Sequence, residues 1–265
     1  DLYISMTWPP YNGHGISGHV YEMIDYYLLL HDKFKIGLLI CEDMPWDMLK
    51  GAITSKYDIG EDIIAKIKAN TIFSLRPKIV KGNNILFVDG GLLRSFQSVG
   101  VVLMFNNIFS FKCSKHDTHF NLDYNNITLL QDNRVYDDND CEIAIDYKKK
   151  LKFDSYIQPG DCNSNTALLY MTKNCRLLCD EEISDIINLY SFDKYVALTT
   201  DNNIYREKFK FNEKIDFPEM PVKNLFESFS TYIYTPTRCY NMPESGCFDC
   251  SPRFIAECKY YNRDV

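Results

Sequence analysis

Apolar residues along this chain fall into short continuous runs that alternate with stretches of helical spacing, a pattern that predicts an α/β fold. Leu2-Tyr-Ile-Ser-Met-Thr-Trp8 reads as a strand. The next stretch, Val20 to His31, places Val20, Met23, Ile24, Tyr27 and Leu28 on one helical face. Lys35-Ile-Gly-Leu-Leu-Ile-Cys41 then reads as a buried strand, followed by a helix near Gly60 to Asn70. Strands are further expected at Ile85–Val88, Val101–Phe105, Ile127–Leu130 and Glu142–Ile145. Strands alternating with helices favour a mostly parallel sheet covered by helices.

Between Tyr147 and Asn165 the chain becomes charged and then rich in turn residues, with Pro159-Gly160 and Asn163-Ser-Asn165. A domain junction is expected there, giving an N-terminal domain over 1–150 and a C-terminal domain over 151–265. The second series then begins. Thr166–Thr172 reads as a strand, Asp180 caps a helix bearing Ile183, Ile186, Ile187 and Tyr190, and Tyr195–Thr199 is the next strand. Val222, Leu225, Phe226 and Phe229 mark a helix before a strand at Tyr232–Tyr234. The expected architecture is two Rossmann-like domains without an internal repeat in the sequence, the second halting where a further strand should start.

Composition narrows the classes. Hydrophobic residues make up 46% of the 265 and aromatics 14%, too many for a disordered chain. No apolar run is long enough to span a bilayer and no secretory leader is evident, so a soluble, cytoplasmic protein is expected. A net charge of −7 argues against a general nucleic-acid binder, although Lys148-Lys-Lys150 and Lys152 form a local basic stretch. Ten irregularly spaced cysteines without a leader are expected to be reduced thiols. The abundance of Asn, Ile, Lys, Tyr and Asp is that of an AT-rich genome, as in many phages and viruses.

The most specific stretch is Asp249-Cys-Ser-Pro-Arg-Phe-Ile-Ala-Glu257. Ser251 suits an N-cap and Pro252 the first helical position, so a helix with free N–H groups facing a loop is expected, which is a ready anion site. Arg253 and Glu257 stand four apart on one helix face, where a guanidinium can meet a diphosphate and a carboxylate can accept from ribose hydroxyls. Phe254 lies beside them.

On these residues the chain resembles the sugar-nucleotide site of GT-B glycosyltransferases, especially retaining ones, many of which carry two acids separated by seven residues. Here the pair is Asp249 and Glu257. The first acid is usually Glu, so Asp249 departs from the pattern. The resemblance is specific over the segment ending at Val265 and architectural elsewhere. It implies two Rossmann-like domains facing a cleft, donor diphosphate near the Ser251 helix start, donor ribose at Glu257, and catalysis involving Asp249.

A second candidate is Gly13-His-Gly-Ile-Ser-Gly18, between the first strand and the first helix. Its glycines permit a tight turn, close backbone approach to a ligand and close helix–sheet packing. The pattern fits Gly-x-Gly-x-x-Gly, and Glu42 or Asp43 lies where an NAD-binding acid would sit, so an NAD-linked oxidoreductase is the rival reading. Trp8-Pro-Pro-Tyr-Asn12 separates strand from glycines, whereas the dinucleotide fingerprint starts directly after its strand. Such a longer loop is similar to the first loop of the GT-B fold. In that resemblance Gly13, Gly15, Ile16 and Gly18 approach the donor and His14 hydrogen-bonds the transferred sugar.

Lys173 directly follows the first strand of the second domain, where a cation would neutralise the diphosphate; Arg176 is a nearby substitute. Thr235 and Arg238 follow a later strand and are expected to line the same cleft. A zinc reading rests on Cys239, Cys247, Cys250 and Cys258, but it has only one short-spaced pair where zinc modules usually have two. His116, Asp117 and His119 form a further loop cluster. The expected activity is transfer of a sugar from a nucleotide diphosphate, UDP-linked, to an acceptor glycan or protein in preference to DNA. No metal or cofactor beyond that co-substrate is expected. A non-catalytic nucleotide-sugar-binding module is the remaining alternative.

Overall fold

The computed structural model describes residues 1–6, 18–40, 44–72, 79–88, 102–111, 127–131, 144–146, 151–162, 165–171, 175–176, 180–199, 207, 209, 212–218, 222–234, 237–239, 246–247 and 253–265. The chain is α/β with parallel sheets and divides into two compact units, Asp1–Tyr156 and Ile157–Val265. Residues 151–156 therefore belong with the first unit. No helix among the described residues is long and apolar enough to cross a membrane.

The first unit is built on a seven-stranded sheet: β1 (Leu2–Met6), β2 (Ile36–Ile40), β3 (Thr71–Ile72), β4 (Ile79–Phe87), β5 (Val102–Phe111), β6 (Ile127–Gln131) and β7 (Ala144–Asp146). Every pairing is parallel and the order is β3-β2-β1-β4-β5-β6-β7. Its first six positions are those of a dinucleotide-binding Rossmann sheet. A parallel strand is covered on both faces, hence the near-continuous apolar run in β2, where Ile36, Leu38, Leu39 and Ile40 are all buried. Helix α1 (Gly18–Leu30) links β1 to β2 and buries Val20, Met23, Ile24, Tyr27 and Leu28. Helices α2 (Trp46–Lys56) and α3 (Glu61–Ala69) follow; α3 begins on Glu61 and Asp62 and ends near Lys66 and Lys68, complementing its dipole.

One face of this sheet depends on two glycines. A Cβ on Gly37 would approach Tyr3 Cε1 to 2.5 Å, and one on Gly82 would lie 2.9 Å from both Tyr3 Cε2 and Phe105 Cε1. The Tyr3 ring thus occupies the space these residues leave and meets Phe105 edge-on at 5.5 Å. Gly37→Val is expected to destabilise the unit by about 1–3 kcal/mol through overpacking, read as a lower urea midpoint. Tyr3→Ala in the same chain should remove most of the added penalty of the valine.

The second unit repeats the core order. Its parallel sheet holds β8 (Thr166–Met171), β10 (Lys194–Thr199), β11 (Ile215–Asp216) and β12 (Thr231–Ile233) as β11-β10-β8-β12. Counted within the unit this is 3-2-1-4, the order of β3-β2-β1-β4. Helix α4 (Asp180–Leu189) joins β8 to β10, and Ile183 enters a core with Ala167, Leu169, Tyr195, Ala197, Phe209 and Ile215. Tyr195 is fully buried and its hydroxyl donates to Tyr190 O at 2.6 Å. Burial raises its ionisation above the usual phenol range, with a backbone hydrogen bond at Phe192 opposing the shift.

A short helix α5 (Val222–Leu225) precedes β12, and α6 (Arg253–Tyr260) closes the unit. Helix α6 ends in a Schellman motif: Asn262 takes a positive φ of 56°, Arg263 N donates to Cys258 O and Asn262 N to Lys259 O. The chain then runs beside β12, where Tyr232 N donates to Asp264 O and Asp264 N to Ser230 O.

A small antiparallel sheet completes the second unit. Strand β13 (Thr237–Cys239) lies between β14 (Gly246–Cys247) and β9 (Cys175–Arg176). Arg238 is directly opposite Arg176, and Cys239 opposite Cys175.

Candidate functional site

In a parallel α/β sheet, ligands bind outside the carboxyl ends of the strands where the winding direction reverses. The strand orders put that reversal between β1 and β4 in the first unit, and between β8 and β12 in the second. Residues at positions 7–17 follow β1, and Gly13, His14, Gly15 and Ile16 among them lie outside the described residues. Gly18 is the first residue of α1; a Cβ there meets none of the described residues within 4 Å.

In the second unit, Lys173 and Thr235 also lie outside the described residues, as do Asp249 and Ser251. The strands around them are informative. Strand β9 begins four residues beyond the carboxyl end of β8, and β13 four residues beyond that of β12. Four residues reach at most about 14 Å, so the small sheet is tethered at the reversal point by both of its adjacent strands. Arg176 and Arg238 are directly opposed there, in register. This rung joins two residues that the sequence suggested separately.

The α6 residues Arg253 and Glu257 are paired with each other in the unliganded chain. Arg253 Nε donates to Glu257 Oε1 at 2.5 Å, and the two side chains are only 11% and 3% exposed. Arg253 was expected to face a diphosphate and Glu257 a ribose; in this structure each meets the other. Their i,i+4 spacing explains the encounter, since such residues are neighbours on a helix surface. Phe254 packs into an aromatic cluster, stacked on Phe226 at 5.2 Å and edge-on to Tyr232 at 5.0 Å, with Phe229 at 6.3 Å. It holds α6 in place.

Cys258 is fully buried in α6 beside Glu257. Burial pushes its thiol up to about 12; the Glu257 charge adds to the shift and Arg263 opposes it. Among the described residues no group of three or more His, Cys, Asp or Glu is placed to hold a metal ion.

Sequence reasoning missed two further groups. Asp25, fully buried in α1, accepts from Lys152 N at 3.1 Å and from the Tyr156 hydroxyl at 2.9 Å, and so anchors residues 151–156. Nearby, the buried Lys56 ammonium lies 4.8 Å from the Tyr21 ring centroid and 5.1 Å from that of Tyr156. Glu22 and Asp25 inside an otherwise apolar helix were the available signal. The other group is Arg263, whose guanidinium donates to the carbonyls of Phe226, Tyr261 and Gly160 and ties α6 to two other segments of its unit.

No known protein family, curated protein or solved structure matches this chain.

Proposed function

We propose that this chain is a GT-B-type glycosyltransferase that takes a sugar from a nucleotide diphosphate, UDP-linked, and passes it to a glycan or protein. In this reading the two units are the two Rossmann-like halves and face a cleft, with the donor diphosphate on the second. The observation that carries the reading is the Arg176–Arg238 rung, tethered at the reversal point of β8 and β12. Two guanidiniums there suit a diphosphate, whose departure with its bonding electrons is the charge-developing step of sugar transfer. Lys173 and the helix start at Ser251 would add to that neutralisation. His14 would orient the sugar and Asp249 would act at the reacting centre.

Calorimetry with UDP and with uridine tests the phosphate assignment. Arg176→Ala and Arg238→Ala are each expected to weaken UDP binding by about 1.5–3 kcal/mol and to leave uridine binding nearly unchanged. The melting temperature of each unliganded variant, compared with wild type, verifies that it is folded. UDP bound equally by wild type and both folded variants would refute the assignment.

An NAD-linked oxidoreductase is the second reading, favoured by one observation: the first sheet begins in the dinucleotide-binding order with a glycine-rich segment after β1. Weighing against it, Trp8-Pro-Pro-Tyr-Asn12 separates the first strand from the glycines, whereas the fingerprint starts directly after its strand. Thermal stabilisation by NAD but not by UDP would favour this reading over the first.

A further inference from the structure

The rung next to the two arginines pairs two cysteines, and this placement does not depend on the proposed activity. Cys175 and Cys239 are direct partners across β9 and β13, and so share one face of the small sheet. Directly opposed residues of an antiparallel pair have Cα atoms about 4.5 or 5.5 Å apart, depending on the type of pair. Both spacings fall within the roughly 4.4–6.8 Å that a disulfide spans. Cys247 is opposite Thr237 and therefore diagonal to Cys239, at about 7–8 Å, which is outside that range. Cys258 is enclosed in the core of α6, unavailable to a dissolved oxidant.

We propose that Cys175 and Cys239 are a redox-responsive pair that closes into a cross-strand disulfide and staples β9 to β13. The oxidant class is a small disulfide such as oxidised glutathione. The thiolate of one cysteine attacks a glutathione sulfur, forming a mixed disulfide and expelling one glutathione thiolate. The second cysteine's thiolate attacks the protein sulfur of that mixed disulfide and expels the other glutathione. Two electrons pass from the protein thiols to glutathione disulfide, and the two thiol protons end on two reduced glutathiones. The bond fixes the register of the neighbouring Arg176–Arg238 rung and closes the long loop between the two strands, which restricts the unfolded chain.

The whole chain, equilibrated in glutathione buffers of rising oxidised fraction and then alkylated, tests the pair by mass spectrometry, with cross-links assigned by fragmentation. The Cys175–Cys239 link is expected to be the first to appear. It should raise the melting temperature by about 5 °C or more over the reduced protein. Cys247→Ser should retain the link, whereas Cys175→Ser should lose the thermal shift and hold glutathione on Cys239. Three results would each overturn the proposal: a link from Cys239 to Cys247 or Cys250, both thiols remaining alkylatable in fully oxidised buffer, or stoichiometric zinc protecting them. Should Cys175→Ser fail to fold, the wild-type and Cys247→Ser link assignments decide the matter.

Discussion

Replacing Glu257 with alanine is expected to destabilise the second unit by up to about 3–5 kcal/mol, because it removes the carboxylate that the largely buried Arg253 guanidinium meets. The side chains of Arg253 and Glu257 are 11% and 3% exposed, so water reaches the pair only poorly. A surface i,i+4 pair would instead be worth a few tenths of a kcal/mol. Urea unfolding at constant slope reads the difference as a shifted midpoint. Replacing both partners with apolar residues, Arg253→Met with Glu257→Leu, should recover much of the loss, since both charges of the pair are then removed. A loss below about 1 kcal/mol for Glu257→Ala would show the pair to be solvated. The result also bears on function: a donor that engages either residue must compete with the partner it already has.

Phe229→Ala is expected to cost the same unit about 3–5 kcal/mol, through lost transfer energy and the cavity left behind. Phe229 is fully buried, with the rings of Phe226 at 5.8 Å and Phe254 at 6.3 Å. Phe254, only partly buried on α6, should cost less when truncated, although it stacks in the same cluster. A larger loss at Phe254 than at Phe229 would mean that docking of α6 dominates the stability of the unit. Chemical denaturation of both variants decides the order.

How far the architecture could be read depended on length and continuity of pattern. Runs such as Thr166–Met171 and Ile36–Ile40 are apolar nearly throughout because parallel strands are covered on both faces, and they stood out. Helices α1 and α3 carried clear apolar stripes. Helix α2 did not: Gly51, Thr54 and Ser55 are poor helix formers, and the segment is held by burial of Leu49, Ala52 and Ile53. Strands of two or three residues, such as β9, β11, β13 and β14, are too short to show any period. That is why Arg176 and Arg238 could be suspected one by one but not matched: their pairing joins distant segments through strands with no local signature. For Arg253 and Glu257 the shared helix face was legible from spacing, but spacing cannot say whether two opposite charges turn to a ligand or to each other.

The way the two parallel sheets are threaded also governs how this chain acquires its structure. Strand β1 cannot gain its second neighbour until β4 has been made, since Leu2 pairs with Asn84, and β8 must likewise wait for β12. Contacts so distant along the chain carry a large loop-closure cost before any reward, so both sheets should fold slowly compared with a helical bundle. The second unit also needs its last residues, because Tyr232 N donates to Asp264 O and Asp264 N to Ser230 O, beyond α6. On the ribosome the first unit can therefore be complete while β8 and β10 still present bare apolar surface, and that interval is when this protein is most exposed to aggregation.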